Sequence, residues 1–151
     1  MKRELRRWEI VGFIATGLFG TLLHFVYEWS GGNRVVAAFS AINESTWEHM
    51  KLLFIPFLVF TVEFIVFSEA FRNFFAVKAA SILLGLASIP ALFYTLTGMF
   101  GKLPDWANIT IFFLADALLY FVSYRLLTDG ALRGGAMQLI GFVLLWALLF
   151  A

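Results

Sequence analysis

The chain has no cysteine in its 151 residues, and only 14% of those residues are charged. The first absence excludes disulfide bonds, thiol nucleophiles and thiolate metal sites. The second places the chain outside the range of soluble domains, in which about 25% of residues are charged. The net charge of +1 leaves no basic face that could neutralise phosphates, so we expect no nucleic-acid partner.

Internal repeats and polar linkers are also lacking, and 62% of the chain is apolar. A helix needs roughly 20 apolar residues to cross about 30 Å of hydrocarbon. Five runs are long enough or nearly so: residues 8–27, 51–71, 76–100, 106–127 and 135–150. The sequence therefore predicts an all-α fold, a bundle of five transmembrane helices forming one domain over residues 1–151 in the lipid bilayer. The first run is too long for the apolar region of a signal peptide, so we interpret it as an uncleaved span.

Basic residues flank the five runs unequally. Eight lie before the first run or near the even-numbered connections: Lys2, Arg3, Arg6, Arg7, Arg72, Lys78, Arg125 and Arg133. Three lie near the odd-numbered connections: Arg34, Lys51 and Lys102. Because basic residues concentrate on the cytoplasmic side, this asymmetry predicts a cell-membrane protein with its N-terminus in the cytoplasm and its C-terminus outside. Trp29, Trp47 and Trp106 would then lie near the outer interface, which indole rings prefer.

The first outer connection carries local structure signals. Gly31-Gly32-Asn33 is a turn signal, and the apolar residues over 35–42 recur at helical spacing, which predicts a short interfacial helix. Ser45 and Glu48 match a capping box, in which Ser45 accepts from the Glu48 amide and the Glu48 carboxylate reaches back to the Ser45 amide. The second span should therefore begin near Thr46.

Two histidines occur in the chain, and both fall in the outer third of the predicted membrane region. His24 and Glu28 are four residues apart on one helix, a spacing at which two side chains can share a proton or a cation. If the first two spans are antiparallel neighbours, one polar cluster forms at the outer surface: His24, Glu28, Asn43, Glu44, Glu48 and His49. Two imidazoles and a carboxylate also suit Zn²⁺, with His24, His49 and Glu48 as ligands and an open fourth position. The alternative is a hydrogen-bonded lock between the loop and the helices.

Glu63 and Asp116 lie about ten to twelve residues inside their predicted spans, close to the middle of the bilayer. A carboxylate at that depth costs about 2.5–3.5 kcal/mol on insertion scales, so it rarely lacks a role. The sequence places no lysine or arginine at that depth, so we expect protonated acids or a wet cavity. Asp116, Tyr120 and Ser123 also form a polar stripe. Such acids suit a proton or cation path, or else hydrogen bonds that join helices.

Small residues form a stripe on the first predicted span. Gly12, Thr16 and Gly20 recur every four residues and are followed by His24, and Gly85 belongs to a similar stripe on the third span. Small residues on one face let another helix backbone approach closely. We therefore expect His24 to face protein rather than lipid.

Two segments carry a resemblance to a known family. Residues 24–29 have the pattern H-x-x-Y-x-W, and residues 43–51 have the pattern N-E-S-x-W-E-H-x-K. Together with the size and span pattern of the chain, they resemble a family of small bacterial multi-spanning membrane proteins classed as a domain of unknown function. The matching positions are His24, Tyr27, Trp29, Asn43, Glu44, Ser45, Trp47, Glu48, His49 and Lys51. The resemblance implies no activity.

Three functions fit these patterns. The favoured interpretation is binding or transport of a small solute, a cation or a proton through an outward-facing polar site, by a homo-oligomer because five short spans hardly enclose a pore. The second is a membrane-embedded metal-dependent hydrolase with Glu44 or Glu48 as base, which would need a divalent metal such as zinc. The third is a non-catalytic structural or partner protein.

Overall fold

A computed structural model describes residues 1–63, 67 and 71–150 of the chain, and these residues form helices, turns and bends without strands. The predicted all-α class is confirmed. The described residues include six α-helices: α1 Lys2–Trp29, α2 Arg34–Ala37, α3 Thr46–Phe60, α4 Phe74–Phe100, α5 Asp105–Asp129 and α6 Gly135–Leu149. A 3₁₀ turn, Thr61–Glu63, extends the end of α3.

Three of the helices, α1, α4 and α5, are long and apolar enough to cross a membrane. Helices α3 and α6 have 15 residues each, fewer than the roughly 20 that a crossing needs. Among the described residues, three of the five predicted spans are therefore helices with the length and apolar composition that a membrane crossing needs. Part of the second predicted span, residues 64–66 and 68–70, lies outside the described residues, as does Ala151.

Neighbouring long helices run antiparallel. The end of α1 meets the start of α3, where the rings of His24 and His49 lie 5.5 Å apart, and the opposite ends meet where Trp8 contacts Phe60. The start of α4 lies beside the beginning of α1, where Lys78 pairs with Glu9. Helix α5 packs against α4 and α1, and α6 packs against α4. The bundle thus has a histidine end and a lysine end.

The surface of the bundle is largely apolar. On α1, Ile10, Ile14 and Leu18 are each more than half exposed, whereas the opposite face of the same helix is buried against α3 and α5. Helix α6 exposes Leu139 and Ile140 in the same way. A contiguous apolar surface of this kind is avoided by soluble monomers and is suited to lipid.

The predicted small-residue stripe of α1 lies at a close helix contact. A methyl group at Gly20 would lie 2.6 Å from the Leu52 carbonyl oxygen of α3, so only glycine allows the two backbones to approach this closely. Thr16 is fully buried and its hydroxyl lies 2.8 Å from that of Tyr120. His24 is only partly exposed, with 28% of its side chain accessible. The expectation of close packing along this stripe is confirmed.

Gly141 of α6 makes a similar contact that the sequence patterns did not indicate. A methyl group there would lie 2.6 Å from backbone atoms of Phe75 and Ala76 in α4. We expect Gly141→Ala to lower the free energy of unfolding by about 1–3 kcal/mol, because backbone cannot yield as a side chain can. Thermal unfolding in detergent measures this. Gly98→Ala is the matched control, since a methyl group at Gly98 meets nothing within 4 Å. Equal stability of the two variants would contradict the prediction.

The predicted interfacial helix is shorter than expected. Helix α2 comprises one turn, with the Asn33 side chain accepting a hydrogen bond from the Val35 amide at 2.8 Å. The residues from 38 onward continue in turns and bends rather than in a helix. The local cap at Asn33 therefore determines the start of the turn, but the apolar spacing over 35–42 does not extend it.

Candidate functional site

The histidine cluster consists of His24 from α1, His49 from α3 and Glu44 from the loop between α2 and α3. The Glu44 carboxylate lies between the imidazoles, with one oxygen 3.4 Å from Nε2 of His24 and the other 3.6 Å from Nε2 of His49. Nδ1 of His49 lies 2.8 Å from the Ser45 carbonyl oxygen, which orients its ring. The loop thus brings one exposed carboxylate, 80% accessible, onto two partly buried imidazoles.

Glu48 has a different role from the one that the sequence patterns predicted. The Ser45 hydroxyl accepts a hydrogen bond from the Glu48 amide at 3.3 Å, which confirms the N-cap of α3. The Glu48 carboxylate does not return to the Ser45 amide; it accepts from the Ile42 amide at 3.1 Å and lies 2.6 Å from the Lys51 ammonium. The Ser45 amide donates instead to the side-chain oxygen of Asn43, at 2.9 Å. The predicted bond from the Ser45 amide to the Glu48 carboxylate is therefore wrong, because the Lys51 ammonium and the Ile42 amide occupy that carboxylate.

The three predicted zinc ligands have different surroundings in the structure. His24 and His49 lie on either side of Glu44, whereas the Glu48 carboxylate is buried against Lys51 and the Ile42 amide. Among the described residues, no group of three or more His, Cys, Asp or Glu side chains is arranged to hold a metal ion.

A cavity of about 550 Å³ opens beside the histidine cluster. Its walls combine two carboxylates, an imidazole, an amide and aromatic rings, and they include His24, Phe25, Tyr27, Glu28, Asn43 and Glu44. Phe25 stacks on Trp29, with ring centroids 5.9 Å apart. Four of the six residues of the predicted polar cluster therefore line the cavity: His24, Glu28, Asn43 and Glu44.

The aspartate level, formed by Thr16, Asp116 and Tyr120, lies deeper in the bundle. Asp116 is fully buried, and neither of its carboxylate oxygens has a hydrogen-bond partner among the described residues. Gly17 of α1 passes close to it, since a methyl group there would lie 2.8 Å from the Phe113 ring and 3.4 Å from the Asp116 carboxylate. The predicted polar stripe on α5 is confirmed as a buried face, because Tyr120 and Ser123 are also buried.

The lysine layer, formed by Glu9, Glu63, Lys78 and Ser123, lies at the other end of the bundle. The Lys78 ammonium pairs with one oxygen of Glu9 at 3.0 Å and with one oxygen of Glu63. The Ser123 hydroxyl donates to the same Glu9 oxygen at 2.8 Å. The residues are 3%, 1%, 1% and 0% exposed in the order named. Four elements, α1, the 3₁₀ turn, α4 and α5, thus meet in this layer.

This layer corrects two sequence-based expectations. Glu63 was expected to have no cationic partner at its depth, and Lys78 was counted with the connection before α4. The structure places Lys78 one turn inside α4 and directs its ammonium inward, away from the flanking loop. Glu9 was missed altogether, although its spacing of seven residues from Thr16 puts both on one helix face. That spacing was the available signal.

Comparison with models of protein families identifies the family of this chain. The model of the family of unknown function DUF6512 matches residues 1–150. Comparison with curated proteins and comparison with solved structures both gave no match. The matched segment contains the histidine cluster, the aspartate level and the lysine layer. The chain belongs to DUF6512, a family of unknown function.

Proposed function

We propose that this protein is an integral membrane protein that binds a small cation at the histidine end and carries protons or cations along its buried polar side chains. The observation that carries the proposal is Asp116, an acid in the middle of an apolar helix, fully buried and without a partner among the described residues. Acids inside a membrane domain are rare and commonly mark ion pathways.

The proposed topology has five crossings. Helices α3 and α6 alternate in direction with the three long helices and contribute Leu53 and Leu145 to the same buried core. Seven of the eight basic residues assigned to the cytoplasmic side remain after Lys78 is removed from that count, so we propose that the N-terminus is cytoplasmic and the histidine end faces outward. We also propose a homo-oligomer, since five short helices hardly enclose a pore.

The cavity suits a cation. Glu28 and Glu44 supply negative charge, and the rings of Phe25 and Tyr27 offer faces that attract cations. Lys51, the lysine near this wall, already has partners: its ammonium pairs with Glu48 and donates to the Ala37 carbonyl oxygen at 3.0 Å. The cavity wall therefore presents the Glu28 carboxylate, which forms no ion pair with the described residues, beside that of Glu44, which contacts the two imidazoles.

The polar side chains of α1 define a column below the cavity. His24, Thr16 and Glu9 are separated by eight and seven residues, which corresponds to steps of about 12 and 10 Å along a helix. Each of them contacts one polar level of the bundle: the histidine cluster, the aspartate level or the lysine layer. Such a series of ionisable groups can pass a proton or cation through an apolar domain.

The column is closed between the cavity and Asp116. Gly20 packs against the Leu52 carbonyl and the Phe112 ring at the intermediate depth, without room for even a methyl group. Transfer from the cavity to the aspartate level therefore requires α1 to separate from α3 at this contact. Closure of this kind is expected of a carrier that alternates between states rather than of an open channel.

The test is ion flux in liposomes that contain the purified protein. We expect the parent to acidify the lumen, or to admit an alkali cation, faster than protein-free liposomes under an imposed membrane potential. Asp116→Asn should reduce the initial rate by about 100-fold, the loss typical when a positioned proton carrier is removed. A pH-sensitive or cation-sensitive dye trapped in the lumen reports the rate.

Asp105→Asn is the matched control, because Asp105 is exposed at the start of the same helix. This variant should retain the parental rate. Flux in the parent that equals flux in protein-free liposomes would remove the proposal, and so would parental flux in Asp116→Asn.

One observation favours a second candidate, a non-catalytic structural protein. Glu48 and Lys51 are both used in holding the loop on the bundle, through the Ile42 amide and the Ala37 carbonyl. On this alternative the shared motif of residues 43–51 serves folding alone. Ion flux in liposomes that contain the parent protein would favour transport, and its absence would favour the structural candidate.

A further inference from the structure

We infer that the lysine layer is a proton-binding site that holds one proton on its two carboxyl groups, with Lys78 in the position that a metal cation would otherwise occupy. The inference deepens the proposed function, on which it rests for its role in transport, because it identifies the ion that the column carries as a proton.

The charges of the layer require the proton. The described groups that meet there are two carboxyls, Glu9 and Glu63, and one ammonium, Lys78. Fully ionised, they would leave one net negative charge in a region that is at most 3% exposed. An uncompensated buried charge is strongly destabilising, and one bound proton on either carboxyl makes the layer neutral.

The hydrogen bonds of the layer provide a place for that proton. One oxygen of each carboxyl faces the Lys78 ammonium. The Glu9 oxygen that does so also accepts a hydrogen bond from the Ser123 hydroxyl. The second oxygen of each, Oε2 of Glu9 and Oε2 of Glu63, is buried without a hydrogen-bond partner among the described residues. A bare buried carboxylate oxygen is costly, whereas a protonated one is an ordinary neutral hydroxyl.

The surroundings of the ammonium favour the attached cation over a metal ion at the same position. The Lys78 ammonium nitrogen lies 5.4 to 5.8 Å from the ring centroids of Phe57, Phe74 and Tyr120. The faces of these rings stabilise an ammonium group, whereas a hard metal cation needs about six oxygen ligands and would find only those of Glu9, Glu63 and Ser123. The Lys78 ammonium therefore stays bound between the carboxyls, and the ion that the layer can gain or lose is the proton.

Other titratable groups next to the layer lie on α5. The Tyr120 hydroxyl lies 2.8 Å from that of Thr16, and Asp116 lies one further turn along the same helix. Asp116 is therefore the next acceptor along the column for a proton that leaves Glu9 or Glu63. In that transfer, which requires Asp116 to have released its own proton, the O–H bond of the donor carboxyl breaks, an O–H bond forms on Asp116, and the net negative charge passes from Asp116 to the lysine layer.

The experiment is infrared spectroscopy of the full chain in lipid nanodiscs at neutral pH. A protonated carboxyl has a C=O stretching band that a carboxylate lacks. The Asp116→Asn background removes the contribution of the aspartate level. In this background we expect a band equivalent to one buried carboxyl group.

Two single variants make the test specific. Glu9→Gln or Glu63→Gln leaves one carboxylate against one ammonium, which is already neutral, so each variant alone should abolish the band. Lys78→Met should double it, because both carboxyls must then be neutral. Because the two glutamine variants keep a balanced pair, they should fold even if Lys78→Met does not.

The outcomes separate this inference from the proposed function. Absence of the band in the Asp116→Asn background, or its persistence in either glutamine variant, would overturn the inference whether or not flux is found. A band that behaves as expected in a protein without flux would support the proton site and remove the proposed transport.

Discussion

Lys78→Met should lower the free energy of unfolding by about 3–5 kcal/mol, the usual result of removing one partner from a buried ion pair. The lysine is the one described cation in contact with Glu9 and Glu63, and its loss leaves two buried carboxyls with nothing to balance them. Either they stay ionised in an apolar region or both take up protons, and both outcomes disfavour the folded state. Equilibrium unfolding in mixed micelles measures the change.

Two further variants control the Lys78 experiment. Lys102→Met makes the same substitution at an exposed position in the turn before α5 and should change stability by less than about 0.5 kcal/mol. The triple variant Glu9→Gln/Glu63→Gln/Lys78→Met removes all three charges and should regain most of the loss, since neutral replacement of a buried ionic group is often tolerated. A stable Lys78→Met protein would contradict the structure of the lysine layer.

Glu48→Ala should destabilise the loop between α2 and α3 and cost about 1.5–3 kcal/mol, the range for hydrogen bonds to a charged group. Its carboxylate accepts from the Ile42 amide and pairs with Lys51, which in turn holds the Ala37 carbonyl. Removal of this one side chain therefore breaks the attachment at Ile42 and removes the partner that positions Lys51 on the Ala37 carbonyl. Thermal unfolding and hydrogen exchange at the Ile42 amide report the loss independently.

Glu44→Ala is the matched control for Glu48→Ala. The Glu44 side chain is 80% exposed and contacts the two imidazoles rather than the backbone. We expect its removal to leave stability within about 0.5 kcal/mol of the parent and to alter the cavity instead. Equal losses of stability in the two variants would contradict this division of roles within residues 43–51.

The positions of the helices were largely accessible from sequence because hydrophobic length and local caps are local properties. Ser45 caps α3 as its pattern predicts, and the stripe that includes Gly20 lies at a helix contact. The extent of the second span was not accessible in the same way, since α3 gives way to a 3₁₀ turn at Thr61 within a continuous apolar run. Hydropathy does not distinguish an α-helix from a tighter turn.

The contacts of the candidate site were also only partly predictable from sequence. His24, Glu44 and His49 were expected to meet, and their contacts follow from an antiparallel hairpin of α1 and α3. The partner of Glu63 was not foreseen, because Lys78 follows closely after Arg72 and reads as a loop cation in a linear sequence. Glu9 likewise follows four basic residues and reads as part of a charged flank.

The sequence by itself determined that the chain is helical and apolar, which residues carry charge in it and which small residues permit close packing. These properties depend on composition and on periodicity within one helix. The tertiary structure alone decided how the charges pair: Glu48 with Lys51 and the Ile42 amide, Glu63 and Glu9 with Lys78, and Asp116 with no described partner. Pairing is decided there because it joins residues up to 69 positions apart, and only the packing of the helices brings such groups within hydrogen-bonding distance.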